Sequence, residues 1–106
     1  MTTGVYTASG GSPVVFSGTV TDLTKAFTLH GEGPGFTVTF SFTPSSATKG
    51  AVSYTGSGDG VTLKGAGTYT IAGKDPDPLT LTYNTNGCAT PGGCRANTNA
   101  ITLTRA

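Results

Sequence analysis

Two cysteines, Cys88 and Cys94, are the side chains of this chain that are best suited to covalent chemistry. Five residues lie between them, including one Pro and two Gly that let the backbone reverse, so the two Cα atoms can approach within disulfide range. A redox-active pair normally has the closer Cys-x-x-Cys spacing. Zinc would need two further soft ligands, and His30 is the only histidine. The spacing therefore predicts a disulfide bond.

His30 has the only side chain whose ordinary pKa lies near neutrality, and Glu32 is its nearest carboxylate in the sequence. General-base catalysis would also need a nucleophile, but no Gly-x-Ser-x-Gly elbow occurs in the chain. His30 has the parity of Thr28, opposite to Phe27 and Leu29, so we expect it to face solvent. We predict that the protein is not an enzyme and uses no cofactor.

Three aspartates could bind a cation. Asp75 and Asp77 flank a proline, and Asp59 lies in a Gly-rich turn. Their carboxylates are suitable ligands for weak Ca²⁺ binding, with Asp75 and Asp77 as the main pair. Such spacing is also typical of solvated turn residues, and the EF-hand pattern is missing. We therefore predict no firm metal site.

Amides and aromatic rings suggest a binding surface beside the cysteines. The stretch 85–99 reads as the longest irregular segment, and long irregular segments often carry function. Asn86, Arg95 and Asn97 lie in it and are our candidates for ligand binding. Sugar-binding proteins combine amides with flat rings, which four tyrosines could supply: Tyr6, Tyr54, Tyr69 and Tyr83. The parity of these tyrosines also fits burial, so both interpretations stay open.

The elements that position these residues are predicted from one clear strand. From Phe36 to Thr43, a large apolar residue alternates with a small hydroxyl residue four times. A period of two is that of a β-strand with one buried face. We expect Phe36, Val38, Phe40 and Phe42 to point into the core.

The rest of the chain repeats this pattern more weakly. About eight short strands are separated by Gly-rich and Pro-rich turns, with at most one helical turn near 22–26. Segments 26–30 and 36–43 read as an antiparallel hairpin, and 61–71 as one bent strand or two strands joined at glycines. This rhythm predicts an all-β fold, an antiparallel sandwich or a small barrel. A β-sandwich, immunoglobulin-like or jelly-roll, is our first choice, as one domain over residues 1–106.

Composition limits the possible partners. Charged residues make up 10% of the chain, the net charge is +1, and no basic cluster is present. We therefore expect no nucleic-acid partner, because phosphate binding needs clustered Lys or Arg. No apolar run is long enough for a membrane span. We predict a monomer whose partner is an unknown protein or glycan.

The near-neutral, Thr-rich and Gly-rich composition, the Cys88–Cys94 pair and the strand rhythm resemble small exported β-sandwich proteins of Gram-negative bacteria that have no assigned activity. The start of the chain does not read as a signal peptide. A cytosolic protein or a mature exported domain behind an added Met would both fit, and the cysteine pair favours a secreted or periplasmic protein. The resemblance implies a non-catalytic interaction or structural protein, surface-accessible and antigenic. The alternatives are a carbohydrate-binding module and a component of a capsid, tail or surface layer.

Overall fold

The computed structural model describes residues 3–10, 14–74 and 78–105, and its regular structure there is entirely β-strand. All neighbouring strands are antiparallel. In chain order the strands are β1 (Thr3–Ser9), β2 (Val15–Asp22), β3 (Phe27–Gly33), β4 (Phe36–Ser46), β5 (Lys49–Gly58), β6 (Val61–Ala72), β7 (Leu79–Thr90) and β8 (Cys94–Arg105).

The strands close into a barrel, so the predicted sandwich is wrong. Each strand pairs with the next one in sequence, and β8 returns to pair with β1, from Tyr6 opposite Arg105 to Ser9 opposite Thr102. A two-residue period shows which face of a strand is buried. It does not show whether that face packs against a second sheet or against the far side of its own sheet. Eight strands form a barrel whose interior is just wide enough for side chains to fill.

The large apolar side chains of β4 point into the core and alternate with outward hydroxyl side chains, as predicted. Val38, Phe40 and Phe42 are buried, and Phe36 at the start of the strand is partly buried. Phe40 also packs edge-on against Phe16 on β2, with ring centroids 4.9 Å apart. The hydroxyl side chains between the four inward residues are exposed. One strand thus contributes the central side chains of the barrel and a neutral outer surface.

One end of the barrel is densely filled, and we call it the packed end. Successive strands β6, β7 and β8 place Ile71, Leu81 and Ile101 side by side in register, and all three are buried. Aromatic rings complete this end, where Phe42 meets Tyr69 edge-on at 5.1 Å between centroids. Full burial of a side chain of this size contributes roughly 1.5–3 kcal/mol. The packed end therefore supplies a large part of the hydrophobic stabilisation.

The segment proposed as a helical turn is a tight turn between β2 and β3. The backbone N–H of Thr24 donates to Asp22 Oδ1 at 2.8 Å, and the Thr24 hydroxyl donates to the same oxygen. These two hydrogen bonds hold the pKa of Asp22 below its ordinary value, and the bond from the hydroxyl has the larger effect. A short side chain that bonds the backbone two residues ahead favours a turn over a helix.

Two predicted connections are shorter in the structure. The hairpin of β3 and β4 is present, but only Pro34 and Gly35 lie between the strands, and Gly35 has a φ of +80°. Proline followed by a residue with positive φ is the pattern of a type II turn. The predicted loop 85–99 is also wrong. This segment consists of the last residues of β7 and the first residues of β8, which are paired as far as Cys88 opposite Cys94. Only residues 91–93 connect the two strands.

Strand lengths are uneven around the barrel. β4 to β8 contain 10 to 12 residues each, whereas β1, β2 and β3 contain 7 or 8. The long strands therefore extend beyond the short ones at the end opposite to the packed end. There, residues 94–101 of β8 pair with β7 along one edge and with no described strand along the other edge. The reason is that β1 pairs only with residues 102–105 of β8. We call this region the open end.

A candidate binding cavity at the open end

A cavity of about 420 Å³ lies inside the open end. One side of its wall is apolar and is formed by Phe36, Phe40, Tyr54 and Leu63. The other side is polar and comes from a single strand, β8, which contributes Arg95, Asn97 and Asn99. A volume of this size lies toward the lower end of the range of small-molecule sites, which usually combine apolar walls with a few polar groups.

Glycines at inward positions let the Tyr54 ring lie flat along the inner face of this end. Phe40, Tyr54, Gly65, Gly87 and Arg95 follow one another in register across strands β4 to β8. The Tyr54 ring crosses β6 above Gly65, and its hydroxyl reaches β7 at Gly87, where an added methyl group would overlap it. The ring therefore covers the two glycines, and its hydroxyl end approaches the strand position opposite Arg95.

The polar side of the cavity wall is formed by alternate residues of β8, which share the inward face of that strand. Arg95, Asn97 and Asn99 are opposite inward-facing residues of β7, namely Gly87, Thr85 and Tyr83 in that order. Residues directly opposite each other in an antiparallel pair lie on the same face of the sheet. The three polar side chains therefore occupy the inner face of β8, at the level where the barrel widens to solvent.

The orientation of the Asn99 amide follows from one hydrogen bond. The backbone N–H of Ala100 donates to Asn99 Oδ1 at 2.9 Å. With its oxygen engaged, Asn99 has its NH₂ group left to offer. The wall at Asn99 is therefore a hydrogen-bond donor.

Two buried hydroxyls lie next to this wall. Tyr83 and Thr85 face inward from β7, and neither hydroxyl has a well-formed hydrogen bond to a described residue. Burial raises the pKa of Tyr83, and the nearby Asn99 side chain lowers it to a smaller extent. The ring centroids of Tyr83 and Phe40 are 5.3 Å apart, so Tyr83 packs against a residue of the cavity wall.

The predicted disulfide is confirmed. Cys88 and Cys94 are bonded, with an S–S distance of 2.07 Å and Cα atoms 4.0 Å apart. They are directly opposite each other on β7 and β8, and both lie at the rim of the cavity. The bond therefore links the end of β7 to the start of β8 across a paired position.

The three candidate ligand-binding residues do not share one face. Arg95 and Asn97 line the cavity. Asn86 has the opposite parity on β7, is exposed, and is opposite Ala96 on the outer surface. The structure thus brings two of the three together and adds Asn99 to them.

The remaining candidates lie elsewhere. His30 faces solvent, as predicted, and its Nε2 lies 3.3 Å from Glu32 Oε1. Asp59 occupies the turn between β5 and β6, with a φ of +51°, against Gly35. Asp75 and Asp77 lie outside the described residues. In the part of the chain that the structure describes, no three His, Cys, Asp or Glu side chains are grouped as metal ligands.

Comparison of the chain with protein-family models, with curated proteins and with solved structures finds no match. Within the described residues, no helix has the length and apolar character that a membrane span requires.

The apolar wall was missed as a site because its residues read as core. Phe36, Phe40 and Tyr54 have the parity and the residue type of buried side chains. A signal was present in the glycines of β6, since Gly65 and Gly67 occupy inward positions between Leu63 and Tyr69. Glycines at inward positions mark places where a neighbouring side chain or strand comes close, and at Gly65 that neighbour is the Tyr54 ring of the cavity wall.

Proposed function

We propose that the protein is a non-catalytic binding protein that holds one small organic molecule in the open end of its barrel. The observation that carries this proposal is the division of the cavity wall into an aromatic side and a polar side. A ligand with an apolar ring and a polar group would satisfy both sides at once. Small eight-stranded barrels commonly hold a single ligand in this position.

The chemistry of the lining supports binding without catalysis. The described residues around the cavity contribute no carboxylate, no histidine and no serine or threonine, and both cysteines there are disulfide-bonded. These are the groups that most often perform general acid–base or nucleophilic catalysis, and the Tyr54 hydroxyl is the one remaining group of that kind among the described lining residues. His30, the only histidine in the chain, lies on the outer surface.

The disulfide is compatible with an oxidising compartment, and we propose that the protein acts in an exported, extracellular or periplasmic setting. There it would work as a monomer that offers its open end to solutes. The thiol pair would persist in the bonded form under those conditions.

A sugar is the second candidate ligand. The Tyr54 ring and two amides, those of Asn97 and Asn99, line the same cavity. Sugars stack on aromatic rings and exchange hydrogen bonds with amides, so this arrangement also supports glycan binding. The two candidates differ in whether an apolar ring or a hydroxylated ring fills the cavity.

Calorimetric titration with a panel of bicyclic aromatic compounds and monosaccharides tests the proposal. We expect saturable, one-to-one binding of at least one aromatic member. Binding confined to the sugars would favour the second candidate. If no member binds at millimolar concentration, the proposed function is wrong.

Two asparagines provide a matched control for the location of the site. Asn97 faces the cavity and Asn86 faces solvent on the neighbouring strand, and both side chains are exposed. We expect Asn97→Ala to weaken binding about fivefold, as the loss of one hydrogen bond would, and Asn86→Ala to leave it unchanged. Equal losses for the two variants would place the ligand outside the cavity.

A further inference from the structure

Charge is distributed unevenly around the cavity. Arg95 is the only charged residue among the described residues of the lining. Lys64 is on β6, which β7 separates from β8, and its parity places it on the outer surface, opposite Cys88. Asp59 lies in a turn against Gly35 and does not contribute to the lining. The local charge of the cavity wall is therefore positive, although the whole chain is nearly neutral.

No described carboxylate forms an ion pair with Arg95, so its guanidinium group is available to a ligand. This group presents several N–H donors in one plane and binds carboxylates with two parallel hydrogen bonds. In the same wall, Asn97 is the next inward residue of β8 after Arg95, and its amide also lines the cavity. Two neighbouring inward positions of β8 thus offer N–H donors.

The opposite wall selects the body of the ligand. Phe40 and Tyr54 have ring centroids 4.9 Å apart, and both contribute to the lining together with Phe36 and Leu63. The Tyr54 ring lies over Gly65 and its hydroxyl reaches Gly87, which is directly opposite Arg95, so the aromatic side of the cavity extends to the strand position beside Arg95. A flat apolar ring system can contact the aromatic side while an attached anionic group reaches the guanidinium group.

We infer that the ligand is an organic carboxylate with an apolar, ring-containing body, bound with its carboxylate on Arg95 and its ring against Tyr54 and Phe40. This inference rests on the proposed function and specifies its ligand. Inorganic anions alone bind weakly here, because they make no use of the aromatic side.

The test compares two probes of one shape, 2-naphthoate and its neutral analogue 2-naphthamide, by calorimetric titration. We expect naphthoate to bind roughly tenfold more tightly or better, since a hydrogen bond to a charged group is stronger than one between neutral groups. The preference should fall as ionic strength rises, because salt screens the interaction at an exposed site.

Arg95→Gln and Lys64→Gln form the matched pair of variants. Each removes one positive charge from an exposed position, but only Arg95 lines the cavity. We expect Arg95→Gln to weaken naphthoate binding about tenfold or more and naphthamide binding much less, so that the preference for naphthoate is lost while the melting temperature stays that of the parent protein. Lys64→Gln should leave both affinities as in the parent protein.

The outcomes separate the two levels of the proposal. Equal affinity for both probes, unaffected by Arg95→Gln, would overturn the carboxylate inference and leave the proposed function standing. Equal losses in Arg95→Gln and Lys64→Gln would also overturn it, since the effect would then be one of net charge. Absence of binding for both probes and for the wider panel would overturn the proposed function and the inference together.

Discussion

The two ends of this barrel are formed by the same strands and differ in their inward residues. At the packed end, β6, β7 and β8 contribute Ile71, Leu81 and Ile101, all buried. At the open end, the same three strands contribute Gly65, Gly87 and Arg95. The alternation of inward and outward side chains is continuous along each strand. What changes is the volume and polarity of the inward residue.

This difference separates stability from binding along the barrel axis. Large apolar side chains stabilise the fold by leaving water, whereas glycine and polar residues at equivalent positions leave space that a ligand can fill. We therefore expect substitutions at the packed end to change the free energy of unfolding. Those at the open end should mainly change affinity.

The sharpest test of this division is a pair of leucines on adjacent strands. Leu81 is fully buried at the packed end, and Leu63 is partly buried in the cavity wall. We expect Leu81→Ala to lower the free energy of unfolding by about 2–5 kcal/mol and Leu63→Ala by about 1 kcal/mol, because only the first leaves an enclosed void. Urea denaturation followed by circular dichroism measures both. Equal losses would show that the open end carries as much of the core as the packed end.

The disulfide should be the main stabilising feature of the open end. Replacing Cys88 and Cys94 together by alanine removes a short cross-link, with an expected loss of about 2 kcal/mol on the chain-entropy model. Thermal denaturation of the variant, and of the parent protein in reductant, should give the same lowered midpoint. The variant itself should not respond to reductant. A midpoint equal to that of the oxidised parent would contradict the expected contribution.

Two glycines near the rim test the space around Tyr54. An added methyl group at Gly87 would overlap the Tyr54 hydroxyl, whereas one at Gly93 would meet nothing within 4 Å. We expect Gly87→Ala to cost about 1 kcal/mol, as overpacking does, and to push the Tyr54 ring into the cavity. Gly93→Ala should stay within about 0.5 kcal/mol of the parent. If Gly87→Ala keeps full stability and full ligand affinity, Tyr54 does not lie where the structure places it.

The smallest effect is expected at Tyr83, where the two ends meet. Its buried hydroxyl lacks a well-formed hydrogen bond, so Tyr83→Phe should change stability at pH 7 by less than about 1 kcal/mol. Burial raises the pKa of Tyr83 in the folded state. Stability is therefore complete below the unfolded-state pKa of about 10 and decreases as the pH rises through the folded-state pKa.

Tyr83→Phe should reduce this alkaline loss without removing it, because burial also raises the pKa of Tyr69. Unfolding midpoints measured from pH 8 to pH 11 provide the comparison. An identical alkaline profile for the variant and the parent would show that Tyr83 ionises as freely in the folded state as in the unfolded chain.

Local features of the fold were predictable from the sequence. The alternation from Phe36 to Thr43 identified a strand and its inner face, and the Cys88–Cys94 spacing identified the disulfide. The hairpin around Pro34 and Gly35 was also recognised. Each of these depends on residues that are close together in the chain, where steric and turn preferences act directly.

The closure of the sheet into a barrel was not predictable in the same way. It depends on the pairing of Tyr6 with Arg105, residues from opposite ends of the chain, and no period in either segment specifies the partner. The segment 85–99 was read as a loop because Asn, Gly and Ala are poor strand formers. Pairing along the whole of β7 and β8, closed by the disulfide, overrides those weak local preferences. The polar side of the cavity was only partly recognisable for the same reason.

The hydrogen bond from the Ala100 N–H to Asn99 Oδ1 also affects how the molecule meets other proteins. Unpaired strand edges recruit further strands and seed aggregation. In this stretch of β8, which no described strand covers, the bond occupies a main-chain donor that an incoming strand would require. One asparagine thus occupies a main-chain donor on this uncovered stretch and directs its NH₂ group toward the Tyr83 hydroxyl inside the barrel.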